Sequence, residues 1–284
     1  MKVWEKAPAK INLTLDVLGK RLDGYHEVEM IMTMIDLADH LLIEDIEQDK
    51  IILESNSAVV PNDENNIIYK AIKLVKNELK IDKGIKIYLE KRIPVAAGLA
   101  GGSSDAAATL RGLNRLWNLN LTENKLMEYG ERLGSDVPFC VVGGTAIARG
   151  RGEKIEKIKS VPSGWVILAK PTISVSTQEI YNNFRLEEIK ERPNAKEMIK
   201  AVNNQDLVAI SKLLHNVLET TTFRLYPEVA YLHRQMKQYG GIGTLMSGSG
   251  PTIYMIVNKE SRIRRTYNAL RGFCKEVYVV RLLK

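Results

Sequence analysis

Between a strand-like and a helix-like segment lies Pro94-Val-Ala-Ala-Gly-Leu-Ala-Gly-Gly-Ser-Ser104, a stretch with three glycines, two hydroxyls and almost no bulk. On its amino side Ile85, Ile87 and Leu89 alternate with Lys86, Tyr88 and Glu90, the period of a half-buried strand. On its carboxyl side Ala106, Leu110, Leu113 and Trp117 recur at helical spacing, which predicts a helix over 105–117. Ser103 and Ser104 are natural N-cap residues and are expected to open that helix. Gly98, Gly101 and Gly102 allow close backbone approach, and the unsatisfied N–H groups of a helix start favour an anion. One helix start contributes about 0.3–1 kcal/mol per exposed charge, so several converging donors are needed to hold a polyphosphate. Pro94, Val95, Ala96, Ala97, Gly98, Leu99, Ala100, Gly101, Gly102, Ser103 and Ser104 are therefore the candidate phosphate-binding set. The plainer alternative is a turn that only packs a strand on a helix. No Gly-Lys-Ser/Thr follows the glycines and no Gly-x-Gly-x-x-Gly fits them, so a phosphate-binding lysine has to come from elsewhere.

At 284 residues, 45% apolar and 26% charged, the chain has the composition of an ordinary globular protein of one large or two moderate domains. Lys2, Glu5, Lys6 and Lys10 interrupt the start, so a usual signal peptide is not expected, and no segment reaches the length of a membrane span. Cys140 and Cys274 sit in apolar surroundings without metal-ligand spacing and read as buried free thiols of a reducing cytoplasm. No two of the four histidines stand at i and i+4, so a metal site built from protein ligands alone is not expected. The net charge of +7 suits either a nucleic-acid surface or attraction of a polyanionic small molecule. Basic residues are spread along the chain, and few aromatics interleave with the cluster Arg262, Arg264, Arg265 and Arg271, which disfavours nucleic acid. The oligomeric state stays open, a homodimer included.

The first part reads as strand-rich: Val3 to Ala7, Ile11 to Leu18, Tyr25 to Ile35, and shorter strands at Leu41 to Glu44 and Ile51 to Glu54. Ile68, Ile72, Val75 and Leu79 predict a helix after Pro61-Asn-Asp-Glu-Asn-Asn66, and a further helix is expected from Thr122 to Leu133. A strand follows at Gly144 to Arg149. Beyond residue 160 come a strand at Trp165 to Ala169 and an amphipathic stripe of Leu207, Ile210, Leu214, Val217 and Leu218. Pro227 opens a helix that Gly240-Gly241 stops. Then come Thr244 to Met246, the loop Ser247-Gly-Ser-Gly-Pro251, a strand to Val257, a helix capped by Ser261 and a closing strand. That order suggests an α+β second domain of ferredoxin-like type.

Lys10 and Asn12 lie two apart on a strand, so their side chains share a face. Asp136, in Leu133-Gly-Ser-Asp-Val-Pro-Phe139, stands between a helix and an apolar run, where a carboxylate can accept a proton or hold a cation's charge. Ser247, Gly248, Ser249 and Gly250 form a small-residue loop suited either to phosphate oxygens as a backbone nest or to a hairpin turn.

Taken in order, Pro8-x-Lys10-x-Asn12, the Pro94 to Ser104 loop and Gly248-Ser-Gly-Pro251 resemble the three motifs of the GHMP small-molecule kinases. Gly101-Gly102 departs mildly from the small residues of many members. The resemblance implies a two-domain α+β GHMP kinase fold, with residues 1–160 an ATP-binding domain of ribosomal-protein-S5-domain-2-like type and residues 161–284 the ferredoxin-like domain. Leu22-Asp-Gly-Tyr-His26, with Ala7 to Leu13, Gly98 to Ala107 and Leu133 to Phe139, looks most like members whose acceptor is a cytidine-diphosphate-linked sugar alcohol. That likeness implies phosphoryl transfer from ATP to the 2-hydroxyl of this polyol, in the non-mevalonate route to isoprenoid precursors. Lys10 and Asp136 would be the catalytic pair and Asn12 would position the polyol. Tyr25 would stack on cytosine while His26 reads its edge. Tyr181 would cover the other face with Thr177 nearby, and Asn65 would touch the adenine side. Magnesium would arrive with ATP rather than in a dedicated site. Another GHMP acceptor, such as homoserine or mevalonate, or an inactive nucleotide sensor, remains the alternative.

Overall fold

The computed structural model describes residues 1–284, and its packing divides the chain into two compact units. The first holds Met1–Ala9, Leu37–Val95 and Ala100–Gly143; the second holds Lys10–Asp36, Ala96–Leu99 and Gly144–Lys284. Two long strands, β1 (Lys2–Lys20) and β2 (His26–Ile46), run side by side through both units. Each joins two segments that the sequence pattern separates. Val3–Ala7 merges with Ile11–Leu18 through Pro8, and the Tyr25 strand continues unbroken into Leu41–Glu44.

In the first unit β4 (Gly84–Glu90) pairs antiparallel with the end of β2, setting Leu89 opposite Leu41 and Ile87 opposite Ile43. β3 (Ile51–Ser55) adds in parallel on the other edge of β4. Helices α1 (Ile67–Leu79), α2 (Gly101–Leu116), α3 (Glu123–Leu133) and α4 (Val137–Val142) complete the unit. α1 buries Ile68, Ala71, Ile72 and Val75, the stripe its spacing predicts, and Asn66 caps it by accepting from Ile68 N at 2.8 Å. α2 is buried almost all round, which its run of Ala106, Ala107 and Ala108 permits by keeping side chains small.

In the second unit β5 (Thr145–Gly150) pairs with the start of β2 and with β6 (Lys154–Lys157). Its other sheet comprises β7 (Trp165–Lys170), β9 (Gly243–Met246), β10 (Ile253–Val257) and β11 (Glu276–Arg281) in the order β11-β7-β10-β9, antiparallel throughout. With α10 (Glu260–Arg271) between its last two strands, this is the expected ferredoxin-like order. Between β7 and β9 lie α5 (Thr177–Asn182), α6 (Ala195–Asn203), α7 (Leu207–Lys212), the short β8 (His215–Asn216), α8 (Leu218–Leu225) and α9 (Pro227–Gln238). Two expectations change here. The Leu207 to Leu218 stripe is not one helix, because His215 and Asn216 pair in parallel with Thr14 and Leu15 of β1 and divide it. The last helix begins at Glu260 with Lys259 in the N-cap position, so Ser261 lies inside it.

Candidate active site

From Ala9 to Val17 β1 is buried, with Ile11, Leu13, Leu15 and Val17 on one face and Lys10, Asn12, Thr14 and Asp16 on the other. A buried polar stripe is stable only if its members are hydrogen-bonded. Asn12 Oδ1 accepts from Lys10 Nζ at 2.7 Å and from Gly248 N at 3.0 Å, while Asn12 Nδ2 reaches Met30 Sδ at 3.4 Å. Thr14 Oγ1 accepts from Ile31 N at 3.1 Å, and Asp16 accepts from Arg192 at 2.7 Å. The ammonium of Lys10, 3% exposed, is thereby laid along the strand, as its spacing from Asn12 predicts.

The Ser247–Gly250 loop supplies the other side of this cluster. Gly248 and Gly250 take φ of +58° and +88°, conformations that strain other residues. Three of the four N–H groups of this loop, suited by sequence either to a phosphate nest or to a hairpin turn, find acceptors within the protein. Ser247 N donates to Thr252 O at 3.0 Å, Gly248 N to Asn12 and Gly250 N to Ser247 O at 3.0 Å. Asn216, which sequence reasoning missed, donates to Met246 O at 2.9 Å and Gly248 O at 2.8 Å and fixes the loop from below. Thr177 Oγ1 lies 2.9 Å from Ser249 Oγ. Ser247 Oγ donates to Gly98 O at 2.8 Å, and Lys10 N to Leu99 O at 3.1 Å. Lys10, Asn12, Gly98, Leu99, Thr177 and the 247–250 loop thus converge within one unit.

The glycine-rich segment alternates into the left-handed region at Ala96 (φ +51°), Gly98 (+70°) and Ala100 (+55°). Ala97 and Leu99 bury their side chains, leaving only their backbone available to a ligand. The N-cap of α2 is Ala100, not Ser103 or Ser104. Ser104 Oγ instead donates to Pro8 O at 2.7 Å inside the core. The first α2 bond runs from Ser104 N to Ala100 O at 2.9 Å, so the N–H groups of Gly101, Gly102 and Ser103 precede any helical acceptor. Three adjacent donors without helical acceptors at a helix start are the kind of groups an anion needs.

Asp136 occupies the N-cap position of α4, a helix where the sequence pattern shows only an apolar run. Its carbonyl accepts from Cys140 N at 3.1 Å. Arg111 of α2 holds the far end of that turn, donating to Cys140 O at 2.8 Å while lying 3.4 Å from the Glu5 carboxylate. Asn65 is exposed, and both its backbone N and its side-chain Nδ2 turn to Asp63 Oδ1, at 2.9 and 3.0 Å. Its buried neighbour Asn66 is the helix cap.

Tyr25 and His26 end the turn between β1 and β2, which is held by Arg21 N to Tyr25 O at 2.8 Å and Tyr25 N to Asp23 Oδ1 at 3.1 Å. The Tyr25 ring is 54% exposed with the Arg151 guanidinium 5.0 Å from its centre. Tyr181, one helical turn after Thr177 on α5, lies against His26, the rings 5.2 Å apart and tilted by 35°. Phe184 approaches His26 edge-on at 6.2 Å. Phe184 and Arg151 went unread, although Phe184 stands three residues beyond Tyr181. Burial, then the charge of Lys20, hold the His26 imidazole below its ordinary pKa, so at neutral pH it offers one donor and one acceptor nitrogen. A second unread cluster joins Lys91, Asp39 and Asp105 beneath the start of α2.

A family model described as "GHMP kinases N terminal domain" matches residues 66–144, and one described as "GHMP kinases C terminal" matches residues 198–276. The chain is similar to a Bacillus cereus protein named 4-diphosphocytidyl-2-C-methyl-D-erythritol kinase, at 58% identity over 283 residues, covering 100% of this chain and 98% of that one. Among solved structures it resembles a 4-(cytidine 5'-diphospho)-2C-methyl-D-erythritol kinase, with a TM-score of 0.84 at 32% identity, covering 99% of this chain and 100% of that one. A homoserine kinase from Cytophaga hutchinsonii follows, with a TM-score of 0.78 at 20% identity over 98% of this chain and 94% of that one, a likeness of fold alone.

Proposed function

This chain belongs to the GHMP kinase family, and from that premise we propose that it moves the γ-phosphoryl group of ATP onto the 2-hydroxyl of 4-diphosphocytidyl-2-C-methyl-D-erythritol. The observation that carries this acceptor is 58% identity along the whole chain to a relative of that name. The aromatic group of Tyr25, His26, Tyr181 and Phe184 supports it, since a pyrimidine needs flat faces to stack on and a neutral imidazole can meet an edge that both donates and accepts.

Phosphoryl transfer asks for positioning and charge stabilisation rather than covalent work by the protein. In this reading the N–H groups of Gly101, Gly102 and Ser103 hold phosphate oxygens, with Pro94 to Ala100 shaping the approach. Magnesium bound to the nucleotide would offset its charge. Asp136 takes the proton of the acceptor hydroxyl as its oxygen bonds to the γ-phosphorus and the bond to the β,γ-bridging oxygen breaks, releasing ADP. Lys10, aligned by Asn12, steadies the charge that develops on the transferring group. Tyr25 stacks on the cytosine, Tyr181 and Thr177 flank it, and Asn65 borders the adenine. Ser247 to Gly250 supports Asn12 and Gly98, leaving the Ser249 N–H as the loop's donor for a phosphate oxygen. By sequence, residues 1–160 carry one family match and 161–284 the other, whereas packing groups Lys10–Asp36, Ala96–Leu99 and 144–160 with the second unit. No helix is long and apolar enough to cross a membrane, consistent with a cytoplasmic enzyme of the non-mevalonate route.

Replacing Asp136 by Asn tests the chemistry. Loss of a general base lowers turnover about 10²–10⁴-fold at unchanged nucleotide affinity, followed as product phosphate. Near-normal turnover in folded protein removes Asp136 from the mechanism. An acceptor panel with homoserine and mevalonate tests the substrate, and preference for either overturns the cytidine-linked assignment.

A further inference from the structure

Asp39 on β2 is fully buried, and one of its oxygens, Oδ1, accepts from Arg92 N at 2.5 Å and Ile93 N at 2.8 Å, the residues that lead from β4 into the glycine-rich loop. Its other oxygen binds the Lys91 ammonium, which also donates to Asp105 Oδ2 in the first turns of α2 at 2.9 Å. Lys91 Nζ sits so close under the helix start that a Cβ on Gly101 would come within 3.0 Å of it. Both flanks of the loop, 91–93 before it and 101–105 after it, are thus tied to the same buried carboxylate. The remaining Asp105 oxygen, Oδ1, is buried and has no N–H or hydroxyl donor, while the Asp39 carboxylate lies within hydrogen-bonding reach of the Asp105 side chain. Burial pushes the Asp105 carboxyl well up, Lys91 opposing and Asp39 adding to the rise.

Stability alone does not account for such a cluster. Buried ion networks can often be exchanged for apolar side chains without loss, and two carboxyl groups held together in the core are a cost. Two acids and one ammonium in the core are better suited to fixing geometry than to adding stability. We propose that Lys91, Asp39 and Asp105 are positioning residues for the nucleotide: they set the spacing between the end of β4 and the first turn of α2, and so aim the Gly101, Gly102 and Ser103 donors. None of the three need touch ATP. The inference rests on the proposed ATP reading of this loop.

The test is calorimetric binding of a non-hydrolysable ATP analogue, alongside steady-state kinetics with both substrates varied. Asp105→Leu and Lys91→Met should each weaken analogue binding about tenfold or more, the equivalent of 1.4 kcal/mol. They should raise KM for ATP in step, with KM for the cytidine-linked acceptor held within about twofold. Asp105→Asn, which keeps an oxygen for Lys91, should recover most of the affinity. A purely structural role would lower the melting temperature or the active fraction without singling out the nucleotide. The inference fails if folded Asp105→Leu binds the analogue like the wild type, or if both KM values rise together. Should both of those variants fail to fold, Asp39→Asn decides: folded protein that binds the analogue as the wild type does overturns the inference. If the wild type itself does not bind the analogue while still folded, the ATP reading of the loop falls, a result distinct from selective failure of the variants.

Discussion

Gly98→Ala is the substitution whose effect the structure determines most closely. Gly98 has φ +70°, and a Cβ built there would lie 2.2 Å from Ser247 O and 2.9 Å from Gly250 O, both backbone atoms. The left-handed backbone costs an L-residue about 1–2 kcal/mol. Overpacking against groups that cannot rotate away adds about 1–3 kcal/mol. Displacing the segment also weakens the Ser247 Oγ bond to Gly98 O, 2.8 Å long and worth about 1 kcal/mol net. The sum, roughly 3–6 kcal/mol from those three contributions, is a large fraction of the 5–15 kcal/mol typical of a folded domain. Gly102→Ala is the control, because its Cβ meets only Ile67 Cγ2 at 3.8 Å and its backbone is helical. Stability there should hold or rise by up to about 1 kcal/mol. Its new methyl nonetheless narrows the approach to the helix start, so ATP affinity should fall while stability does not. Urea unfolding followed by fluorescence of Trp4, Trp117 and Trp165 measures both variants. A Gly98→Ala midpoint indistinguishable from wild type, or equal losses in the two variants, would refute the argument from close approach.

Buried His233 and half-buried Glu219, both in the second unit, give stability an opposed pH dependence. Burial, with the charge of Lys237, holds His233 down at about 4, so as pH falls from about 6.5 the unfolded chain gains a proton that the folded chain refuses, and about 3 kcal/mol is lost by pH 4. Burial raises Glu219, the acceptor of Met246 N, to about 7, so its contribution is present below about 4.5 and about 3 kcal/mol is lost as pH climbs through 7. Glu219→Gln should abolish the decline toward neutral pH and, because the Glu219 carboxylate lies 3.8 Å from His233 Nε2, should also alter the acid limb; urea midpoints from pH 4 to 8 check this, and an unchanged profile contradicts the Glu219 assignment. Tyr25→Ala and Phe184→Ala should each raise KM for the cytidine-linked acceptor about 5- to 150-fold, the range of one lost base stack of about 1–3 kcal/mol, with KM for ATP unmoved. A change in the ATP term instead would detach these rings from the acceptor.

What local chemistry dictates, the sequence alone reveals. Glycines where φ turns positive, the alternation of β4, the stripe of α1 and the Lys10-x-Asn12 face follow from the 2.0 and 3.6 periodicities and from what each side chain permits its own backbone. The family motifs are legible for the same reason, being runs of such residues. Tertiary structure decided the rest. Whether Ser104 caps a helix or bonds the Pro8 carbonyl depends on a strand nearly a hundred residues away, as the choice between one helix and two across Leu207 to Leu218 depends on β1. Asp39, Lys91 and Asp105 are three unremarkable charges in sequence, and only folding removes them from water together. Pairing energies between residues far apart in the chain leave no periodic trace, because they arise when desolvation makes a partner obligatory and not from any preference of the segment itself.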